Sequence, residues 1–323
     1  MGYFGIDMND FLLSYDTVCL RPKYSELPSR VLANTKMDFL GYQFNLPVVP
    51  ANMEDVISFN NAKELDELGC FYIMHRFRNS TVEFSKYAKN VGIKIVSISL
   101  GVNKDSMDDL RFIVDNTSIP HFITVDVAHG HHIKTKEMVE FIRSVSPSSK
   151  VILGNVATKE GYEFLCDLGA DAVKVGIGGG SICTTRFKTG FHLPTLQSVY
   201  EAIQSGRSVP IIADGGAKHH GDIAKALTIG ATMVMSGGWF ASCIDSPAKI
   251  VDGKKIYRGS TSFDSKGEHR HIEGRTLALE EGFTYKDRLR EIQQDLQSSI
   301  SYAGGNDLSC FSGVKWERLQ PGQ

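Results

Sequence analysis

The chain has 323 residues, 42% hydrophobic and 22% charged, with 35 basic side chains against 37 acidic ones and a formal net charge of −2. That composition excludes a disordered or fibrous chain and argues against a basic face for nucleic acid. Residues 1–16 lack a basic n-region and an apolar h-region, no long apolar span occurs, and the six cysteines form no CxxC pair, so a cytoplasmic protein with free thiols and no membrane contact is expected.

Taken in chain order, short apolar and β-branched runs fall at residues 46–49, 71–74, 95–100, 122–125, 151–153, 172–175, 210–213 and 232–235. Segments with helical spacing lie between them, at 60–68, 81–89, 133–145, 160–168 and 221–229. Alternation of this kind predicts βαβ units and a parallel sheet. Eight units close naturally into a (β/α)8 TIM barrel of the α/β class, with an open doubly wound sheet as the alternative.

Polar or glycine clusters follow almost every run: PANM at 50–53, HR at 75–76, DVAHG at 126–130, GN at 154–155, GIGGGS at 176–181, DGG at 214–216 and GG at 237–238. A barrel builds its active site from several strand ends, whereas an open sheet concentrates it at one switch point. The pattern favours the barrel. Two intervals are long: a glycine-rich cysteine loop at about 176–191, and a polar stretch at about 245–275 that reads as a loop or lid before a last helix near 286–302. Without a linker, residues 1–323 read as one domain.

The glycine pairs at 215–216 and 237–238 follow the last two runs, where barrels often hold phosphate against close-approaching amides. Simple turn glycine is the plainer reading. Asp214, at a strand end, is placed to accept from a sugar diol. Cys183, in a glycine-rich loop beside Arg186, is a candidate nucleophile; a buried structural thiol is its alternative. The histidines at 129, 131, 132, 219 and 220 lack zinc spacing and suit ligand contacts or solvated loops better than a transition metal.

Several stretches together resemble one family over nearly the whole chain. They are YDTVCLRPKYS at 15–25, LPVVPANME at 46–54, DVAHGHH at 126–132, VILGNV at 151–156 and VGIGGGSICTTR at 175–186. IADGGA at 212–217, YRGS at 257–260 and QDLQSSISYAGG at 294–305 continue the match. The chain resembles the IMP dehydrogenase/GMP reductase family. Dehydrogenases of that family usually carry a regulatory insert after the second strand unit, where this chain has room for one helix. The short flap also lacks their Arg-Tyr pair, so the resemblance favours the reductase branch. An IMP dehydrogenase without regulatory domains and a non-catalytic nucleotide-binding barrel are the alternatives. Gly179 departs from the proline usual in reductases.

The resemblance implies an oxidoreductase that reductively deaminates GMP to IMP and ammonia with NADPH, through a covalent bond from Cys183 to the purine. Thr185 would pass protons, supported by Glu273. It implies that Ser181, Gly215, Gly216, Gly237 and Gly238 hold phosphate, with Asp214 on the ribose. Gly259, Ser260, Thr261, Arg270 and Gly274 would close around the nucleotide as a flap. Arg76, Asp126, Val127, Ala128, His129 and Gly130 would face the cofactor; Ser29, Arg30, Ser298 and Ser301 would reach the cofactor of a neighbouring subunit in a homotetramer. The carbonyls of Gly178, Gly180 and Cys183, with Arg186, match a site for potassium.

Overall fold

The computed structural model describes residues 12–259, 275–280 and 282–319. Strand β1 (Val18–Leu20) and the hairpin of β2 (Met37–Phe39) and β3 (Tyr42–Phe44) come first. The parallel sheet follows: β4 (Val48–Pro50), β5 (Ser97–Leu100), β6 (Phe122–Asp126), β7 (Lys150–Val156), β8 (Ala172–Val175), β9 (Ile211–Asp214) and β10 (Met233–Ser236). Its order is β4-β10-β9-β8-β7-β6-β5, which sets the first strand beside the last. This curled sheet is the expected barrel arrangement, with the 71–74 run falling between β4 and β5 in sequence.

That run is the one predicted strand without a ladder. Phe71, Tyr72, Ile73 and Met74 are nevertheless buried, and the Met74 amide donates to the Ser97 carbonyl at 3.1 Å. Side-chain hydroxyls occupy backbone acceptors along this seam: Ser99 Oγ donates to the Met74 carbonyl at 2.6 Å and Tyr72 Oη to the Ile95 carbonyl at 2.6 Å. The Met74 amide and carbonyl thus both find partners on the β5 side without a regular ladder.

Around the sheet lie α1 (Phe59–Glu67), α2 (Ser80–Val91), α3 (Lys104–Asn116), α4 (Ile133–Val145) and α5 (Lys159–Asp167). They are followed by α6 (Thr185–Thr189), α7 (Thr195–Ile203), α8 (Gly221–Ile229), α9 (Gly238–Ala241) and α10 (Tyr285–Tyr302). Polar caps fix where several begin: Ser58 and Asn61 form a capping box on α1, and Thr158 and Thr284 accept from the first turns of α5 and α10. No helix among the described residues is long and apolar enough to cross a membrane.

The polar stretch expected as a loop is in part a sheet. β11 (Lys249–Val251), β12 (Lys254–Arg258) and β13 (Thr276–Glu280) pair antiparallel, so the flap rises from a three-stranded stem. Lys255 is buried in that stem and donates to the carbonyls of Ile244, Ser246 and Ala248 at 2.9–3.3 Å. Strand β14 (Trp316–Arg318) returns to pair with β1.

Aromatic rings gather where the parallel strands begin. Phe39 and Phe44 of the hairpin meet Phe71 at 5.1 and 5.2 Å, and Phe71 meets Phe122 at 5.0 Å. This cluster fills the end opposite the glycine-rich loops and ties the unladdered run to β6. Truncating Phe71 to Ala should therefore cost about 3–5 kcal/mol in urea unfolding. A loss under about 1 kcal/mol would show that the cluster does not hold this end together.

Candidate active site

The C-terminal ends of the strands open into a cavity of about 1510 Å³. Ordinary ligand pockets are about 300–1,000 Å³, so there is room for more than one small ligand. The long loop after β8 forms one wall. It needs glycine at Gly176, where φ is +146° and an added Cβ would lie 2.2 Å from the Asp214 carbonyl oxygen. An added Cβ at Gly179 would meet Thr195 Oγ1 at 2.4 Å, so that threonine takes the space a larger residue would need.

Cys183 is half-buried at the tip of this loop, and its thiol donates to Thr185 Oγ1 at 3.1 Å. The tip is held from below by the Cys183 amide on the Gly180 carbonyl at 3.1 Å, and from the flap side by Arg275. Arg275 donates its amide to the Ile182 carbonyl at 3.0 Å and its guanidinium to the Ser181 carbonyl at 2.9 and 2.6 Å. Arg186 lies over the Phe187 ring, 4.5 Å from its centroid.

The facing wall is glycine and acid. Gly215 and Gly216 both have φ near +85°, and a Cβ at Gly215 would press to 3.0 Å on the Gly180 amide. The two glycine-rich loops are therefore in backbone contact. Asn155 fixes Asp214 by donating Nδ2 to Oδ2 at 2.8 Å and also to the Gly176 carbonyl at 2.8 Å. Asn155 Oδ1, in the cavity wall, has no hydrogen-bond partner among the described residues.

At the floor sits Lys174, which is 2% exposed. Its ammonium donates to Asp126 Oδ1 at 2.9 Å and Asn52 Oδ1 at 3.2 Å, and lies 3.3 Å from Asp214 Oδ2. Burial alone would lower the lysine pKa, but the two carboxylates outweigh it and push the group above the ordinary lysine range. Burial alone would likewise raise Asp126; Lys174 and then Arg76 hold it below the usual carboxylate range instead. Arg76 donates Nε to the Asp126 carbonyl at 3.2 Å.

The flap stem is tied to the same rim. Arg258 pairs with the buried Asp55 through its amide and Nε, both at 2.8 Å. Next to it Tyr257 is buried, its phenol pushed well above the ordinary range by burial and then by Asp214, Asp55 and Cys183. Its hydroxyl lies against Gly237, where an added Cβ would fall 1.9 Å away.

Many residues expected from the sequence thus meet in one cavity wall. They include Cys183, Thr185, Arg186, Gly178, Gly180 and Ser181, with Asp214, Gly215, Gly216, Gly237, Gly238 and Gly259 across from them. Arg76, Asp126, Val127 and Ala128 line the adjoining part, whereas His129 and Gly130 are not among its lining residues. Ser29, Arg30, Ser298 and Ser301 lie elsewhere, on the outer surface, where Arg30 Nη1 donates to Ser298 Oγ at 3.1 Å. Ser260, Thr261, Arg270, Glu273 and Gly274 lie outside the described residues. Lys174, Asn155, Asn52, Asp55 and Arg275 had not been singled out. The signal for Lys174 was a lysine inside an otherwise apolar strand, a place where an unpaired charge is not tolerated.

A parallel barrel with a thiol and a hydroxyl on a glycine-rich loop, facing an acid-and-glycine wall, defines a cysteine-bearing α/β-barrel site. Residues 12–315 match the family described as "IMP dehydrogenase / GMP reductase domain". Proteins named GMP reductase from Staphylococcus aureus strains JH9, N315 and MW2 are each 43% identical to this chain over 311 residues, which is 94% of it and 95% of their own length. The chain belongs to the IMP dehydrogenase/GMP reductase family.

The contact between Gly237 and Tyr257 is directly testable. Gly237→Ala should cost about 1–3 kcal/mol by crowding the phenol, and distinctly less in a Tyr257→Phe background. Equal costs in both backgrounds, read from denaturant midpoints, would contradict the contact.

Proposed function

We propose that the chain is a GMP reductase, carrying out NADPH-dependent reductive deamination of GMP to IMP and ammonia with Cys183 as nucleophile. The observation that carries this reading is the place of Cys183. It shares a cavity wall with Thr185 and faces Asp214-Gly215-Gly216, in a chain 43% identical over 311 residues to proteins named GMP reductase. The segment between the 71–74 run and β5 holds one α-helix, α2, which supports the reductase side over a dehydrogenase with its regulatory insert.

In this reading Asp214 accepts from the ribose, while Ser181 and the amides of Gly215, Gly216, Gly237 and Gly238 take the phosphate. The flap residues Gly259, Ser260, Thr261, Arg270 and Gly274 close over the nucleotide. The Cys183 sulfur bonds to purine C2, and the bond from C2 to its exocyclic amine breaks. The amine leaves as ammonia, with protons passed through Thr185, whose hydroxyl is 3.1 Å from the sulfur. Glu273 would be the carboxyl that supports Thr185 in passing protons, because a threonine hydroxyl alone is a poor acid.

The cavity suits a second ligand beside the nucleotide in volume. Arg76, Asp126, Val127, Ala128, His129 and Gly130 form the side that would hold NADPH. When bound, NADPH supplies the hydride that replaces sulfur at C2. The electron pair of the C2–S bond then returns to Cys183 as thiolate. Ser29, Arg30, Ser298 and Ser301 would meet the cofactor of a neighbouring subunit in a cytoplasmic homotetramer built from single barrel domains. The carbonyls of Gly178, Gly180 and Cys183, with Arg186 beside them, would suit potassium, a cation that prefers oxygen donors.

Three measurements test this. The protein should turn GMP over repeatedly to IMP and ammonia only with NADPH, beyond a single equivalent of ammonia per site, and oxidise IMP with NAD negligibly, and Cys183→Ala should abolish turnover while GMP affinity stays within about tenfold. The reverse preference would make it a dehydrogenase; activity without Cys183 would end the covalent mechanism. Glu273→Gln should slow deamination by about 10²–10⁴-fold and leave hydride exchange between IMP and oxidised cofactor much less affected. Equal slowing of both half-reactions would remove Glu273 from the proton path.

A further inference from the structure

Lys174 is the buried charge that the chemistry above does not use. Its ammonium has three hydrogens and three oxygen neighbours: Asp126 Oδ1 at 2.9 Å, Asn52 Oδ1 at 3.2 Å and Asp214 Oδ2 at 3.3 Å. These oxygens come from β6, the loop after β4, and β9, while Lys174 itself is on β8. The surrounding backbone makes way for it. An added Cβ at Gly154 on β7 would lie 2.5 Å from Lys174 Cβ, and one at Gly176 would strike the Asp214 carbonyl.

The two carboxylates serve opposite halves of the cavity in the proposed function, Asp126 toward the cofactor and Asp214 toward the nucleotide ribose. We propose that Lys174 is a positioning residue for both halves: one buried cation holds Asp126 and Asp214 in place at the cavity floor, so both ligands depend on it. This rests on the reading of the cavity given above.

The other groups facing the pair are few. Arg76 Nε lies 3.8 Å from Asp126 Oδ2, and Asn155 donates to Asp214. Tyr15 and Tyr257 face Asp214 as neutral phenols, each pushed up by burial first; Asp222 and Asp214 add to the shift of Tyr15, and Asp214, Asp55 and Cys183 to that of Tyr257. With Lys174 gone, Arg76 remains as a half-exposed cation for Asp126, and no lysine or arginine among these neighbours contacts Asp214.

The sign of the pH effect separates positioning from space-filling. In the native protein Asp126 is held low, so its stabilising contribution is present above the unfolded carboxylate pKa and is lost as pH falls through the folded value. In Lys174→Met, one carboxylate facing the other in a buried site has its folded pKa raised. Its contribution is then present at low pH and lost as pH rises. The melting-temperature gap between the native protein and Lys174→Met should therefore widen from about pH 5.5 to about pH 8.5. A lysine that merely fills space gives a gap independent of pH.

The experiment measures that gap, together with the dissociation constants of GMP and NADPH taken separately by calorimetry at neutral pH. The expected result is a widening gap and a loss of at least about tenfold in both affinities. A constant gap, or a loss confined to one ligand, overturns the proposal. If the native protein binds no GMP yet the gap still widens, the control of the carboxylates by Lys174 stands and the functional reading fails instead. Should Lys174→Met not fold, Lys174→Met with Asp126→Asn decides: removing the facing carboxylate should restore a cooperative transition with a flatter pH dependence, and an equally unfolded double variant overturns the proposal.

Discussion

The buried contact of the Lys174 ammonium with Asp126 and Asp214 is the constraint on which the site depends. Taking three charges out of water is costly, and the arrangement survives because the ammonium donates to Asp126 and Asn52 and lies within 3.3 Å of Asp214. It binds β6, β8 and β9 together at the ends from which the site loops leave. It also explains glycine at 154 and 176, since side chains there would collide with the lysine stem and with the Asp214 backbone. The acids that a ligand would meet are therefore set by the barrel interior, below the loops that carry the thiol.

Above this floor, the cysteine loop is held by contacts that are mostly backbone. Gly215 touches the Gly180 amide from β9, while Arg275 at the return of the flap binds the carbonyls of Ser181 and Ile182. The Asp55–Arg258 pair fastens the other arm of the same stem to the loop after β4. The cysteine loop, the glycines after β9 and the flap stem are thus joined by direct contacts. Arg275, just before β13, touches the loop two residues before the thiol.

Much of this was legible in the residues alone. Seven of the expected strands are ladder strands of the sheet, because fully buried parallel strands read as unbroken apolar runs. The 71–74 run was recognisable as core but not as unladdered, since the Ser99 hydroxyl that takes the Met74 carbonyl comes from β5 and the Tyr72 hydroxyl finds its acceptor at Ile95. The flap stem was hidden because Lys249, Lys254 and Lys255 make its strands look like solvated loop, although Lys255 is buried on three carbonyls. Strand-end motifs gave Cys183, Asp214 and the glycine pairs. Lys174 escaped them, since its meaning lies in Asp126 and Asp214, 48 and 40 positions away, which meet only when the barrel curls.

The central claim is a covalent bond between Cys183 and the purine, and intact-protein mass spectrometry after acid quench reads it most directly. Mixed with GMP in the absence of reduced cofactor, the native protein should gain the mass of GMP less ammonia, and peptide mapping should place that gain on Cys183. Addition of NADPH before the quench should discharge it. A protein that forms IMP from GMP while no adduct accumulates on Cys183 under any quench condition, or one whose adduct maps to another residue, would contradict the account.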